Sequence, residues 1–289
     1  MRYALFPGCL AQTELYEYDL SAREVLPRLG VELEDLEGKS CCGYPSYSVT
    51  SPLIWTYLSA RNMALAEQRG LDILTLCNNC NLSFCQNKAK LEKDEGLAKV
   101  INDRLSDEEM TYDGKARVVD LLEVLFDEIG VDEIAGRVVK PLDGLRLAPH
   151  PGCHSFRPSS LDRPDGGESP RKLIGLIRAL GAEAVEFPGW LDCCGASTVV
   201  SERETGLRIA GRKLKAVKDS RLDALVTTCP HCFKVFDSEQ AAIQDILGEE
   251  LDVPVVFYTQ LLGLALGIPP EKLGLDLNLS PVEGLKLHV

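Results

Sequence analysis

The sequence has no hydrophobic run that could cross a bilayer. Its longest apolar stretch near the C-terminus, Leu261 to Ile268, falls far short of the roughly 18 residues a membrane helix needs. Met1 to Leu10 lack the charged, apolar and small-residue succession of a secretory signal. The expectation is a soluble, cytoplasmic protein with no direct membrane span. Positive charge is also scarce: 31 Lys and Arg face 44 Asp and Glu, a formal net charge of -13. No basic stripe offsets that excess, which argues against a nucleic-acid partner. An anionic small molecule would need a local basic pocket. What the chain does have is apolar content, 45% over 289 residues, enough for two domains of roughly 140 residues each.

It also has eleven cysteines. In a reducing compartment such a set points to metal ligands or redox groups rather than to structural disulfides. Ten of the eleven fall into a repeat. The first half carries Cys9, then Cys41-Cys42-Gly43, then Cys77-Asn78-Asn79-Cys80, and the second carries Cys153, then Cys193-Cys194-Gly195, then Cys229-Pro230-His231-Cys232. From Cys-Cys-Gly to Cys-x-x-Cys the interval is 77 - 42 = 35 in one half and 229 - 194 = 35 in the other. The earlier interval is looser, 41 - 9 = 32 against 193 - 153 = 40, as surface loops allow. Flanking residues repeat as well: Phe6-Pro7-Gly8-Cys9 answers His150-Pro151-Gly152-Cys153. A period near 150 residues means duplicated domains, not a solenoid. Cys85 stands outside the repeat and reads as a small buried hydrophobe.

Each half alternates strand-like and helical segments. Arg2 to Phe6, Val31 to Leu36 and Ile73 to Leu76 read as strands, with helical spacing over Glu14 to Leu29 and Ala60 to Arg69. Leu145 to Ala148, Ala184 to Phe187 and Ala224 to Thr227 repeat the strands, and Pro170 to Leu180 and Glu202 to Lys218 the helices. Val118 to Ile129 and Val255 to Leu266 read as a last strand entering a helix. The fold class is therefore α/β: two tandem, pseudo-symmetric Rossmann-like domains with parallel sheets, spanning 1–143 and 144–289. Segment 88–110 reads as a charged helical insert in the first domain, and 276–289 as a tail. Ligands in such sheets sit at the strand carboxyl ends, where Cys9, Cys77, Cys153 and Cys229 each follow a strand. Five thiols then gather on one rim per domain.

Cys-x-x-Cys alone serves zinc, iron-sulfur clusters or dithiol chemistry. Five thiolates exceed the four of a tetrahedral zinc site and of an ordinary cubane. Two zinc sites with one spare cysteine each, in a non-catalytic scaffold, stay open on spacing alone.

These motifs resemble the CCG domain, whose signature is Cys, a spacer, Cys-Cys-Gly, a spacer and Cys-x-x-Cys. A chain with two such domains is similar to the CCG-bearing subunit of heterodisulfide reductase. The resemblance implies two non-cubane 4Fe-4S clusters, one on Cys9, Cys41, Cys42, Cys77 and Cys80, the other on Cys153, Cys193, Cys194, Cys229 and Cys232. It implies reduction of the coenzyme M-coenzyme B disulfide between them, in a complex with one ferredoxin-like subunit and one flavin-bearing, bifurcating subunit. Hydrogenase or formate dehydrogenase would stand upstream. The chain contains no Cys-x-x-Cys-x-x-Cys-x-x-x-Cys-Pro segment of its own, so electrons would arrive from a separate subunit. The same family also implies an alternative, an electron-transfer subunit of a flavin-linked dehydrogenase or quinone-linked complex.

Product thiols need protons, and His154 beside Cys153 is the candidate catalytic acid, with His231 a hydrogen-bonding neighbour of the second set. Arg157 and Lys88 are the basic residues nearest the motifs, each weighed as an anion clamp against a solvated charge.

Overall fold

The computed structural model describes residues 1–286; the last three residues of the 276–289 tail lie outside the described part. Among the described residues, eight short strands form two sheets. The first contains β1 (Arg2–Phe6), β2 (Glu32–Asp35), β3 (Asp72–Thr75) and β4 (Val118–Asp120), in the order β2-β1-β3-β4. The second contains β5 (Arg146–His150), β6 (Glu183–Ala184), β7 (Ala224–Thr227) and β8 (Val255–Phe257), in the order β6-β5-β7-β8. All neighbours within each sheet are parallel. Helices supply the crossovers, as parallel pairing requires. Chain order reverses between β1 and β3 and again between β5 and β7, so each sheet has a switch point where the loops after its two central strands diverge.

The halves are not independent beads. One continuous cluster of buried residues runs from Tyr3 and Leu5 of the first sheet to Val256 and Phe257 of the second. The helix Tyr16–Val25 after β1 packs on the helix Tyr258–Ala265 after β8, and Val131–Arg137 packs on Lys172–Ala179. Each half thus closes its core with the other's helix. Tyr18 stacks on Phe257 at 3.9 Å between ring centroids, Phe257 stacks on Phe233 at 4.0 Å, and the Tyr18 hydroxyl donates to the Thr228 carbonyl at 2.6 Å. A second apolar cluster, including Phe6, Met63, Phe84 and Leu105, lies behind the first sheet alone.

Three segments differ from expectation. The helix expected from Ala60 starts at Pro52, because Pro at the first helical position is pre-set for it and Ser51 turns the chain in. The 88–110 segment is not an isolated insert. It continues the helix Asn78–Lys93 that begins inside Cys-x-x-Cys and adds Glu95–Leu105, while the second half has the shorter pair Pro230–Asp237 and Gln240–Leu247. The tail folds back on its own half: Asn278 Nδ2 donates to the Val255 carbonyl at 2.8 Å, and Ser280 Oγ to Asp237 at 2.7 Å.

Candidate functional site

β1 and β5 end in Pro-Gly-Cys, and the glycine decides how near the backbone can come. Gly8 has φ +83°, and a Cβ there would lie 3.2 Å from Cys77 Cβ and 3.4 Å from Cys80 Sγ. Gly152, at φ +77°, would place one 3.4 Å from Cys229 Cβ. Any side chain would strain the backbone at both, and at Gly8 it would also press on Cys77. β3 and β7 lead directly into Cys77 and Cys229, which cap the next helices, so Cys80 and Cys232 lie one turn along them. A helix N-terminus favours thiolate, and Cys229 is pulled down there, while the neighbouring Cys229 and burial push the Cys77 thiol up. Within Cys-Cys-Gly, the glycine N–H turns back onto the first thiol: Gly43 N to Cys41 Sγ at 3.4 Å, and Gly195 N to Cys193 Sγ at 3.3 Å.

All eleven cysteines are free thiols. In the first half the thiols of Cys9 and Cys41, Cys41 and Cys42, Cys42 and Cys80, and Cys80 and Cys77 are near enough to shift one another's acidity. In the second the same holds for Cys153 and Cys193, Cys193 and Cys194, and Cys232 and Cys229, and Cys232 Sγ bonds Cys194 Sγ at 3.2 Å. Cys77 and Cys229 also act on each other, so the ten sulfurs form one chain of neighbours across the interface between halves. Bonds from Cys42 and Cys9 pull the Cys41 thiol down, bonds from Cys153 and Cys194 do so for Cys193, and those from Cys232 and Cys77 for Cys229. The donating partners are pushed up; Cys42, giving its bond to Cys41, rises to about 12. Cys9, Cys41 and Cys193 are exposed, Cys153 is half-buried, and the rest of the ten are buried. Cys85 is apart from the chain, its Sγ 3.7 Å from Asn81 Oδ1.

Polar groups that spacing does not single out surround this chain. Asn78 is 1% exposed and neither atom of its amide has a partner, while its Oδ1 lies 3.6 Å from where a Gly152 Cβ would be. His150 is 2% exposed with both ring nitrogens lacking a formed hydrogen bond, and Thr228 Oγ1 is likewise unsatisfied. Native interiors rarely leave such groups unpaired, so a cavity of thiols ringed by them has the chemistry of a site that holds something polar or charged. His150, Cys194 and Cys232 offer ligand atoms all within 4.8 Å of one another. The signal for His150 is in the repeat itself, where it stands opposite Phe6.

His154 Nδ1 bonds Asn79 Oδ1 at 2.7 Å and its ring stands edge-on to Tyr44, at 5.4 Å between centroids. Burial lowers its basicity below the ordinary imidazole range. The buried Arg163 holds the loop after it, donating to the His154 carbonyl from Nε at 3.0 Å and to Asn81 Oδ1 at 2.8 Å. Lys88 is tied to the carbonyls of Gly114 and Ala116, and Arg157 lies over the Phe156 ring at 4.8 Å. These contacts hold both, and Lys88 shares a cavity with Cys85 alone among the cysteines. The cations that do approach are on the helix Arg203–Asp219: Lys213, 4% exposed, donates to the carbonyls of Gly189 at 2.6 Å and Trp190 at 2.9 Å, and burial pulls it down to about 8. Lys213 and the exposed Arg212 line a cavity of about 530 Å³ that opens onto Cys193. His231 borders a separate cavity of about 340 Å³ with Leu10 and Lys234.

Among the described residues, no helix is long and apolar enough to cross a membrane. A family model described as a cysteine-rich domain, CCG, matches residues 3–85 and 147–237. The 8-methylmenaquinol:fumarate reductase membrane anchor subunit of Wolinella succinogenes is 37% identical, over 96% of this chain and 96% of that one. The B-type subunit of the ferredoxin/F420H2-dependent CoB-CoM heterodisulfide reductase of Methanosarcina acetivorans is 33% identical, over 96% of this chain and 93% of that one. A crystal structure of a hypothetical protein from Helicobacter pylori matches in fold with a TM-score of 0.80 at 19% identity, covering 97% of this chain and 52% of that one.

Proposed function

The chain belongs to the cysteine-rich CCG domain family, and from that membership we propose that it is the disulfide-reducing subunit of a heterodisulfide reductase complex. The observation that carries the reading is that the two five-thiol sites meet: His154, beside Cys153, bonds Asn79 of the first Cys-x-x-Cys at 2.7 Å, and a Cβ on Gly152 would lie 3.4 Å from Cys229 Cβ and 3.6 Å from the Asn78 amide. Cleaving a disulfide takes two electrons, and paired one-electron centres suit one bond between them. The proposed holders are Cys9, Cys41, Cys42, Cys77 and Cys80 for one non-cubane 4Fe-4S cluster and Cys153, Cys193, Cys194, Cys229 and Cys232 for the other. The fit rests on buried thiols beside unsatisfied amide and imidazole groups. When bound, the two clusters supply one electron each to the S–S bond. The residues of the chain do the rest. Arg212 and Lys213 offer the positive charge an anionic disulfide requires where Cys193 opens to solvent. His154, with Nδ1 engaged by Asn79, presents Nε2 to carry a proton to a departing sulfur. The duplicated units are residues 1–143 and 144–289, and electrons reach them in the cytoplasm from the ferredoxin-like and flavin-bearing subunits of the complex.

The test is oxidation of a reduced viologen by the coenzyme M-coenzyme B disulfide, with anaerobically isolated, iron-replete protein. Turnover is expected. Its absence would leave the second reading, an electron-transfer subunit of a quinone-linked complex, which the 37% identical fumarate reductase relative favours.

A further inference from the structure

The two cysteine sets match in number and spacing, but their surroundings do not match. Phe6 ends β1 and packs edge-on against Phe84, with 4.9 Å between centroids and 79° between planes. Its counterpart His150 ends β5 and packs edge-on against Phe236, at 5.2 Å and 88°. Phe84 and Phe236 each stand seven residues past the first cysteine of their Cys-x-x-Cys. The same ring pair is therefore built twice, with an imidazole replacing a phenyl in the second half. A phenyl in that place needs nothing. A buried imidazole has an N–H to donate and a lone pair to satisfy, and His150 has no formed bond for either, apart from a weak approach to the Trp190 backbone. The thiols of Cys194 and Cys232 lie within 4.8 Å of a ring nitrogen.

The difference extends past one residue. Thr228, with its unsatisfied hydroxyl, stands where the first half has Leu76, and the unpaired Asn78 amide lies across Gly152 beside Cys229. Lys213 adds a buried cation whose field acts on Cys193, Cys194 and Cys232. Donors and positive charge thus collect on the second set.

We propose that His150 is a positioning residue for the second site only, donating its ring N–H to a sulfur of the group held by Cys153, Cys193, Cys194, Cys229 and Cys232, so that this site is reduced more readily than the first. The inference rests on the iron-sulfur reading given above. Hydrogen bonds to cluster sulfurs raise the reduction potential, because they stabilise the extra negative charge of the reduced state. The first site, with Phe6 in the equivalent place, has no such donor at that position. An incoming electron then settles on the second site, next to the cavity that opens onto Cys193, and the two halves have an order of reduction built in.

The experiment is a redox titration followed by electron paramagnetic resonance on the full chain, isolated anaerobically and analysed beforehand for iron, sulfide and zinc. Wild-type protein is expected to show two midpoints. His150→Phe, the residue the first half uses, moves the higher midpoint down and leaves the lower one in place. His150→Gln, which keeps a donor, restores part of that shift. Phe6→His moves the lower midpoint up. A single wild-type midpoint, or an iron-replete His150→Phe protein with both midpoints unmoved or both moved equally, overturns the proposal. If His150→Phe cannot hold iron, Phe6→His decides: an upward shift of one midpoint supports the proposal, and no shift overturns it. Zinc without sulfide in the wild type overturns the iron-sulfur reading and this inference with it, and the metal analysis distinguishes that failure from the others.

Discussion

Cys77 and Cys229 are near enough across the interface between the two halves to shift each other's acidity, each standing at the start of the helix that follows the third strand of its repeat. These are equivalent residues of the duplication. Their proximity brings the two cysteine sets together rather than leaving them remote.

Replacing Cys77 by Ala is therefore expected to affect both sets. It removes a proposed ligand from the first set and, after Cys232, the second partner that pulls the Cys229 thiol down. Iron content should fall by about half or more, and the spectrum of what remains should change. Cys85→Ser, outside the chain of sulfurs, should keep full iron. Metal analysis and low-temperature spectroscopy of the two variants check both outcomes.

Gly8→Ala tests the close approach of backbone to thiol. A Cβ at φ +83°, 3.2 Å from Cys77 Cβ, costs about 1–2 kcal/mol in backbone conformation before any displacement of the cysteine. The variant is expected to melt at a lower temperature and to lose iron from the first set first. Gly248→Ala, also left-handed but with nothing within 4 Å, should lower stability without touching iron content.

His154→Gln retains a polar group against Asn79 but cannot carry a proton. Disulfide turnover should fall about 100-fold with iron content unchanged. Equal turnover in the variant would remove His154 from the reaction.

pH dependence of stability should arise far from the thiols. Glu17 is buried on the helix Tyr16–Val25, where desolvation, with a smaller push from Asp237, raises its carboxyl to about 7 from 4.5. The folded state then keeps a proton that the unfolded state releases. Glu17's contribution is full below pH 4.5, declines as pH rises toward 7 and is flat above it, a loss of about 3 kcal/mol. Glu17→Gln should melt at nearly the same temperature as wild type near pH 5 and above it at pH 8. Parallel melting curves at both values would contradict the assignment.

How much of this is legible in the sequence depends on the kind of signal. Strands β1 and β7 run over the residues that apolar patterning marks, because both are central and buried. β6 is only Glu183–Ala184, shorter than the apolar run to Phe187, since the chain leaves the sheet toward Pro188. The helix from Pro52 starts ahead of its apolar pattern because Leu53 and Ile54 are exposed and break the period. The ten cysteines are legible through duplication, which counts positions. The shared core and the His154 to Asn79 bond between the halves are not, because no spacing within one half encodes how the halves meet. Arg163 and Asn78 are single buried polar residues, and nothing periodic marks them.

The most direct test of the account is the iron, acid-labile sulfide and zinc content of the anaerobically isolated chain. Two 4Fe-4S sites predict about eight iron and about eight sulfide per chain, with no zinc. About two zinc per chain and no sulfide would contradict it.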